Sequence, residues 1–221
     1  MVYRRTEKVV RRLAARHDAI VAAARGLAAE AGMNAVQIAP VAERAGIAAG
    51  TVYRYFPSKT ELVGALVASS CELDVAAIRA AAAAAPGPLS ALAAAVMTFA
   101  ARALRQRQLA WALIAEAVDP DIERARLPYR RALAAEFEAR LNAAIASRNL
   151  PEQDAAVAAP ALVGALLEGL AGPLAAASSS EAKSRETIQT LTLFALRAVG
   201  VVDAHARGLV MQTALPADDA A

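Results

Sequence analysis

Residues 36–61 read VQIAPVAERAGIAAGTVYRYFPSKTE. The spacing predicts two short helices separated by a tight turn, with a third helix starting just beyond. Ile38, Val41, Ala42 and Ala45 recur at intervals of three and four and give the first helix one apolar face. Gly46 stands where that helix must stop, because glycine adopts a positive φ at little cost. On the second helix Ala48, Val52, Tyr55 and Phe56 share a face, while Gly50 and Arg54 point the other way, flanked by Thr51 and Tyr53. Tyr53, Tyr55 and Phe56 are three of only nine aromatic residues in the chain, four Phe, four Tyr and one Trp. A helix with a buried back and a glycine, a hydroxyl, a phenol and a guanidinium in front is built to touch something.

A helix-turn-helix places its second helix in the DNA major groove, and its turn often contains glycine. Small Ala42 lets the two helices approach, and Ile47 and Val52 fill the angle between them. The run AGIAAGTVYRYFPSK at residues 45–59 resembles the signature of the tetracycline-repressor (TetR) family of bacterial regulators. That signature is Ala-Gly, an aliphatic residue, small or polar residues, Thr, an aliphatic residue, then Tyr-x-Tyr/His-Phe-x-x-Lys. Each of its positions is matched, and the resemblance is specific over residues 13–73.

The resemblance implies an all-α protein. A three-helix helix-turn-helix DNA-binding domain would occupy residues 13–73, and a ligand-binding and dimerisation bundle residues 74–203. It further implies a homodimer on a pseudo-palindromic operator in double-stranded DNA. A small, largely apolar effector would release a repressor of this kind. The expected DNA contacts are Gln37, Ala49, Gly50, Thr51, Tyr53, Arg54, Tyr55 and Lys59. Two departures from the family pattern matter. Ala48 stands where a Ser or Thr cap commonly begins the recognition helix, forgoing roughly 1 kcal/mol. Ala49 removes a polar contact often present there, which leaves more of the specificity to DNA shape.

Charge is divided along the chain. Residues 1–60 carry ten Lys/Arg and four Asp/Glu, a net of +6; the remaining fourteen and seventeen give −3, and the total is +3. A basic N-terminal part joined to a mildly acidic remainder fits a nucleic-acid partner for the first part only. Residues 1–12, with Arg4, Arg5, Lys8, Arg11 and Arg12, read as a basic flexible arm, either a solvated, disordered tail or one that follows phosphates or enters a minor groove. Leu13, Ile20, Ala24, Leu27 and Ala31 then form a helical stripe ending at Gly32.

Ser58 and Glu61 have the capping-box spacing at the start of another helix. Lys59 in its first turn is an unfavourable cation by the helix dipole, and a phosphate across that helix end rationalises it. This helix is expected to run through Leu62, Leu66 and Leu73 toward Ala85. The alanine-rich run 80–101 is broken by Pro86-Gly87-Pro88, so it reads as a helix end, a loop and a helix start rather than a membrane span. No membrane partner is expected.

Beyond Pro88 the stripes Leu89, Leu92, Val96, Phe99 and Leu104, then Leu109, Trp111, Leu113 and Ile114, predict two helices. Asp119-Pro120 would end the second, and Pro128 would start a third with Leu133, Phe137, Leu141 and Ile145 inward. The large side chains Met97, Phe99, Trp111, Tyr129 and Phe137, with Leu166, are candidates for lining a ligand pocket, or equally for core packing. A helix over 157–174 carries a small-residue face, Ala161, Ala165, Gly169 and Gly172. With Leu191 and Ala195 of a last helix over 188–202 it is the expected dimer interface, the alternative being that both are simply core helices. Residues 204–221 are expected to be a disordered tail.

No catalytic constellation is visible: no nucleophile–histidine pairing, no metal spacing with only His17 and His205 available, and no phosphate-binding glycine loop. The chain therefore reads as no enzyme, without cofactor or metal. Glu116, Asp119, Asp121 and Glu123 read as a solvated helix junction. The single Cys71 fits a reducing cytoplasm. The rival from another class is a helical enzyme or carrier with an incidental helix-turn-helix.

Overall fold

The computed structural model describes residues 7–172, 174, 175 and 180–215. They form helices α1 (Glu7–Ala31), α2 (Ile38–Arg44), α3 (Ala49–Tyr55), α4 (Lys59–Ala83), α5 (Pro88–Arg105), α6 (Arg107–Ile114), α7 (Pro120–Ala146), α8 (Ala155–Leu170), α9 (Glu181–Ala198) and α10 (Asp203–Gln212). A single 3-10 turn, Met33–Ala35, joins α1 to α2. There is no strand among the described residues, and no helix of theirs is long and apolar enough to cross a membrane.

The N-terminal helices meet on Ile20, Val21, Ala24 and Ala28 of α1, Val41 and Ala42 of α2, and Val52 of α3, all buried. Phe56 and the first turns of α4, through Leu62, Val63 and Leu66, close the same cluster. Gly46 takes φ 64°. Its N–H reaches the Glu43 carbonyl at 3.0 Å and that of Ile47 reaches Ala42 at 3.0 Å, satisfying carbonyls at the end of α2. Ala48 begins α3 with extended backbone and no side-chain cap, as its methyl requires. Ser58 caps α4, its hydroxyl accepting the Glu61 N–H at 3.1 Å.

The C-terminal bundle is built around α5, whose residues 95–101 are buried on every side. α4 and α7 pack against it and each other, α8 packs on α7, and α9 closes over α5. Phe99 and Phe137 meet edge to face at 6.3 Å between ring centres.

Several boundaries differ from the sequence expectation, each for a local reason. Pro128 lies inside α7 instead of starting a helix. Asp119 accepts the N–H groups of Asp121 and Ile122, both at 3.1 Å, with Pro120 as the first helical residue, and that pairing of cap and proline sets the start. Pro128 is exposed, so the carbonyl it leaves unbonded faces water. α8 starts earlier than expected because Asp154 caps it, accepting from Ala156 N at 2.9 Å; it ends at Leu170. α9 likewise begins at Glu181, capped by Ser180 through Lys183 N at 3.2 Å.

Two expectations of disorder are replaced by helix. Residues 7–12 are the opening turns of α1, and residues 1–6 lie outside the described residues. The expected tail contains α10, which buries Ala206, Leu209 and Val210. Residues 216–221 lie outside the described residues.

Phe137 is fully buried against Phe99 at the centre of the bundle. Phe137→Ala is expected to lower unfolding free energy by about 3–5 kcal/mol, and denaturant melts of the two chains measure it.

Candidate nucleic-acid interface

With Val52 and Phe56 buried, the turn geometry leaves the opposite side of α3 in solvent. Gly50 and Arg54 are exposed, and Tyr53 keeps 51% of its surface. Thr51, Tyr55 and Ala49 are half-buried, the last two packed against the core. Gly50 has nothing within 4 Å of where a Cβ would stand, so the backbone there is open to a close approach from outside. Lys59 is the first residue of α4 and is half-buried. Gln37, exposed at the start of α2, donates its side-chain amide to the Asn34 carbonyl at 3.0 Å. Thus Gly50, Tyr53 and Arg54 lie on the exposed side of α3 with Thr51 half-buried between them, Lys59 opens the next helix, and Tyr55 and Ala49 mainly seat α3.

Arg44 belongs to the scaffold. Its guanidinium forks onto the Glu30 carboxylate of α1, with Nη1 at 2.8 Å, and lies over Gly26, where a Cβ would stand 3.0 Å from the guanidinium. The hydrogen bond from Arg44 holds the exposed Glu30 carboxyl below its ordinary range. His17 stacks obliquely on Phe56 with ring centres 5.0 Å apart.

The α1–α2 connection is held from an unexpected direction. Glu116, just past the end of α6, accepts the Met33 N–H at 2.7 Å and the Asn34 side-chain amide at 3.1 Å. Sequence reasoning placed Glu116 in a solvated junction with Asp119, Asp121 and Glu123. Instead Asp119 caps α7, Glu123 pairs with Arg126 at 2.6 Å, and Glu116 reaches the DNA-reading part. The partners are 83 and 82 residues apart, and no spacing rule reports that.

A cavity of about 100 Å³ lies between α1, α4, α5, α6 and α7. Its apolar wall is Phe99, Leu109, Ala110, Leu113 and Ile114, and its polar wall holds Asp74, Arg102, Tyr129, Arg25 and Gln106. Arg102 Nε donates to Asp74 at 2.6 Å, and the Tyr129 hydroxyl donates to the other carboxylate oxygen. Burial, and then the Asp74 charge, push the Tyr129 phenol well above its ordinary range, so it stays protonated and remains a donor. Of the expected pocket residues, Phe99 and Tyr129 line this cavity. Met97, Phe137 and Leu166 are buried in the core, and Trp111 is half-buried on α6; none of the four is in the lining.

The expected dimer residues divide in the same way. Ala195 is buried within the chain, and a Cβ on Gly169 would stand 2.9 Å from Leu191 Cδ2 of the same chain, so Gly169 and Leu191 meet where α8 packs on α9. Gly172 is buried beside its own Glu168 carboxyl. Ala161 is exposed and Ala165 half-buried on α8, where Val157 keeps 66% of its surface; Phe194 on α9 keeps 50%.

Fold and surface together define a helix-turn-helix arrangement whose second short helix, α3, keeps one face in solvent. Residues 20–66 match the family described as bacterial regulatory proteins, tetR family. The transcriptional repressor KstR of Rhodococcus jostii is 47% identical over 57 residues, which cover 26% of this chain and 27% of KstR. KstR of Mycobacterium tuberculosis is 48% identical over 48 residues, 22% of each chain. The likeness to these curated relatives thus spans about a quarter of their length, all of it a short segment. Over the whole fold the chain resembles RolR solved with resorcinol, with a TM-score of 0.68 at 24% identity, covering 94% of this chain and 98% of RolR. It also resembles FadR of Bacillus subtilis solved with stearoyl-CoA, with a TM-score of 0.67 at 18% identity, covering 80% and 97%.

Two substitutions separate the roles of the exposed cations. Lys59→Ala is expected to weaken binding to all DNA sequences alike and to lower the slope of log affinity against log salt by about one for each phosphate it no longer neutralises. Salt titrations of both proteins on the same duplex decide it, and an unchanged slope removes Lys59 from the interface. Arg54→Ala is expected to cost about 1–3 kcal/mol and to relax preference at one base position, which binding to single-base variants of a selected site measures.

Proposed function

We propose that the protein is a homodimeric transcriptional repressor that binds a pseudo-palindromic site in double-stranded DNA and is released by a small-molecule effector. The observation that carries this reading is the exposed face of α3, with Gly50, Tyr53 and Arg54 in solvent, followed by Lys59 at the start of α4. Residues 13–73 serve as the DNA-binding domain and residues 74–203 as the effector and dimerisation domain. The KstR relatives, named as repressors, support the sign of regulation.

The cavity beside Asp74, Arg102 and Tyr129 is the effector site in this reading. Its volume of about 100 Å³ is near the roughly 150 Å³ that holds one benzene ring, and far below what a long acyl chain requires. A single-ring molecule with a hydrogen-bonding substituent would place its ring against Phe99 and Leu113 and its polar group on the Asp74–Arg102 pair. That refines the expectation of a largely apolar effector. RolR, solved with a small dihydroxybenzene, and FadR, solved with an acyl-CoA, support a ligand-binding role for the bundle in this fold. Such a ligand releases DNA only if it binds the DNA-incompetent state more tightly.

Val157, Ala161 and Phe194 supply an exposed apolar surface on α8 and α9 for the second copy. Two half-sites about 34–36 Å apart then bind with the benefit of effective concentration.

The primary test is selection of DNA from random fragments with purified protein, followed by titration of the enriched site. Enrichment of an inverted repeat is the expected result, and recovery of no sequence preference defeats the reading. Ala161→Arg puts an unpaired charge on a surface that is exposed in one chain, so the monomer still folds. It is expected to sediment as a helical monomer with operator affinity reduced at least tenfold; a variant that stays dimeric and binds normally places the interface elsewhere.

A further inference from the structure

We propose that Glu116 is a positioning residue: its carboxylate ties the cavity-lining helix α6 to the start of the DNA-reading unit. One end of the tie is the turn Met33–Ala35. Its first residue presents an N–H with no acceptor inside the turn, as the first N–H groups of any helical turn do. Glu116 supplies the missing acceptor from another part of the molecule, at 2.7 Å from Met33 N. The second carboxylate oxygen takes the Asn34 side-chain amide at 3.1 Å, so both oxygens are used on one short segment.

Gly32 leaves room for this contact. It has φ 81°, and a Cβ there would stand 2.8 Å from Glu116 Oε2. Any other residue would be strained by its backbone and would also push the carboxylate out. The segment so held leads directly into Gln37 and α2, and Gln37 donates back to the Asn34 carbonyl at 3.0 Å.

The other end of the tie is anchored in the bundle. Arg126, 1% exposed, donates to the Glu116 carbonyl at 2.6 Å and to the Ala112 carbonyl at 2.9 Å, and it is neutralised by Glu123 at 2.6 Å. Arg130 Nε holds the Ile114 carbonyl at 3.1 Å. The end of α6 is therefore fixed to α7 by guanidinium bonds, that of Arg126 buried and that of Arg130 partly exposed, while its apolar side, Leu109, Ala110, Leu113 and Ile114, forms a wall of the cavity. A displacement of α6 moves Glu116, and Glu116 carries the α1–α2 turn with it. Glutamate at the C-terminal end of a helix is disfavoured by the helix dipole. The two bonds to the turn offset that placement.

The proposal rests on the repressor reading only for its DNA readout, so two measurements are paired. In a Cys71→Ser background, spin labels at Glu43→Cys on α2 and Arg131→Cys on α7, both exposed, report the distance between the reading unit and the bundle within one chain. The labelled chain is refolded with a large excess of unlabelled chain, so that a dimer carries at most one labelled copy. The otherwise unaltered protein is expected to give one narrow distribution. Glu116→Ala and Gly32→Ala are each expected to broaden or shift it with helicity retained. Glu116→Gln keeps one acceptor oxygen and is expected to fall between. On the selected inverted repeat, Glu116→Ala is expected to lose about tenfold or more in affinity while binding to an isolated half-site changes less than twofold. A distribution unchanged in Glu116→Ala overturns the proposal, as does an equal loss on whole and half-sites that follows a fall in melting temperature. If distances respond but no variant and no parent chain binds DNA, the tie stands and the repressor reading fails.

Discussion

Everything in this molecule hangs on one continuous apolar core that runs through both the DNA-reading helices and the bundle. α1 and α4 are each 25 residues long, and both carry side chains into the cluster at Val52 and Phe56 and onward toward the cavity. Ile20 and Leu62 are fully buried near the reading end, and Ile78 on the same α4 is fully buried among the bundle helices. A helix transmits displacement along its length because its backbone bonds are satisfied internally and its packed faces resist sliding. The helix-turn-helix therefore cannot reorient without altering packing in the bundle, and that constraint couples the two parts of the chain.

The charged groups inside this core are few among the described residues, and they are paired. Asp74 and Arg102 satisfy each other and Tyr129 around a cavity, and Arg126 is neutralised by Glu123 while it ties down the end of α6. Burying such groups costs free energy that their mutual bonds only return in part, so they contribute little net stability. What they add is geometry. The Asp74–Arg102 pair gives a small cavity a polar end, and the Arg126 and Glu116 bonds fix the position of the helix that forms its apolar wall.

The alanine-rich composition has a structural consequence of its own. α5 buries Ala93, Ala95, Ala100, Ala101 and Ala103, and small residues let neighbouring helices approach closely on several sides. Of the large side chains in the interior, Phe99 meets Phe137 edge to face on one side and shares the cavity wall with Tyr129 on the other.

The sequence by itself determined the helix-turn-helix, the burial of Val52 and Phe56, the turn at Gly46, the cap at Ser58 and the outward face of α3. These features are local: each follows from residues within about two helical turns of one another, where periodicity, φ preference and capping act directly. The same local signals misplaced the start of α7, because Pro120 and Pro128 are both legal first residues and only the bonds accepted by Asp119 choose between them. They also missed α10, which gains its stability from packing Leu209 and Val210 against the bundle. The tertiary structure alone decided that Gly169 and Ala195 serve contacts within the chain, that Asp74 meets Tyr129 across 55 residues, and that Glu116 reaches Met33 across 83. A carboxylate in a sequence announces a charge and a reach of a few ångströms. Which N–H comes within that reach is fixed only when distant helices pack, and that packing joins the cavity wall to the reading helices.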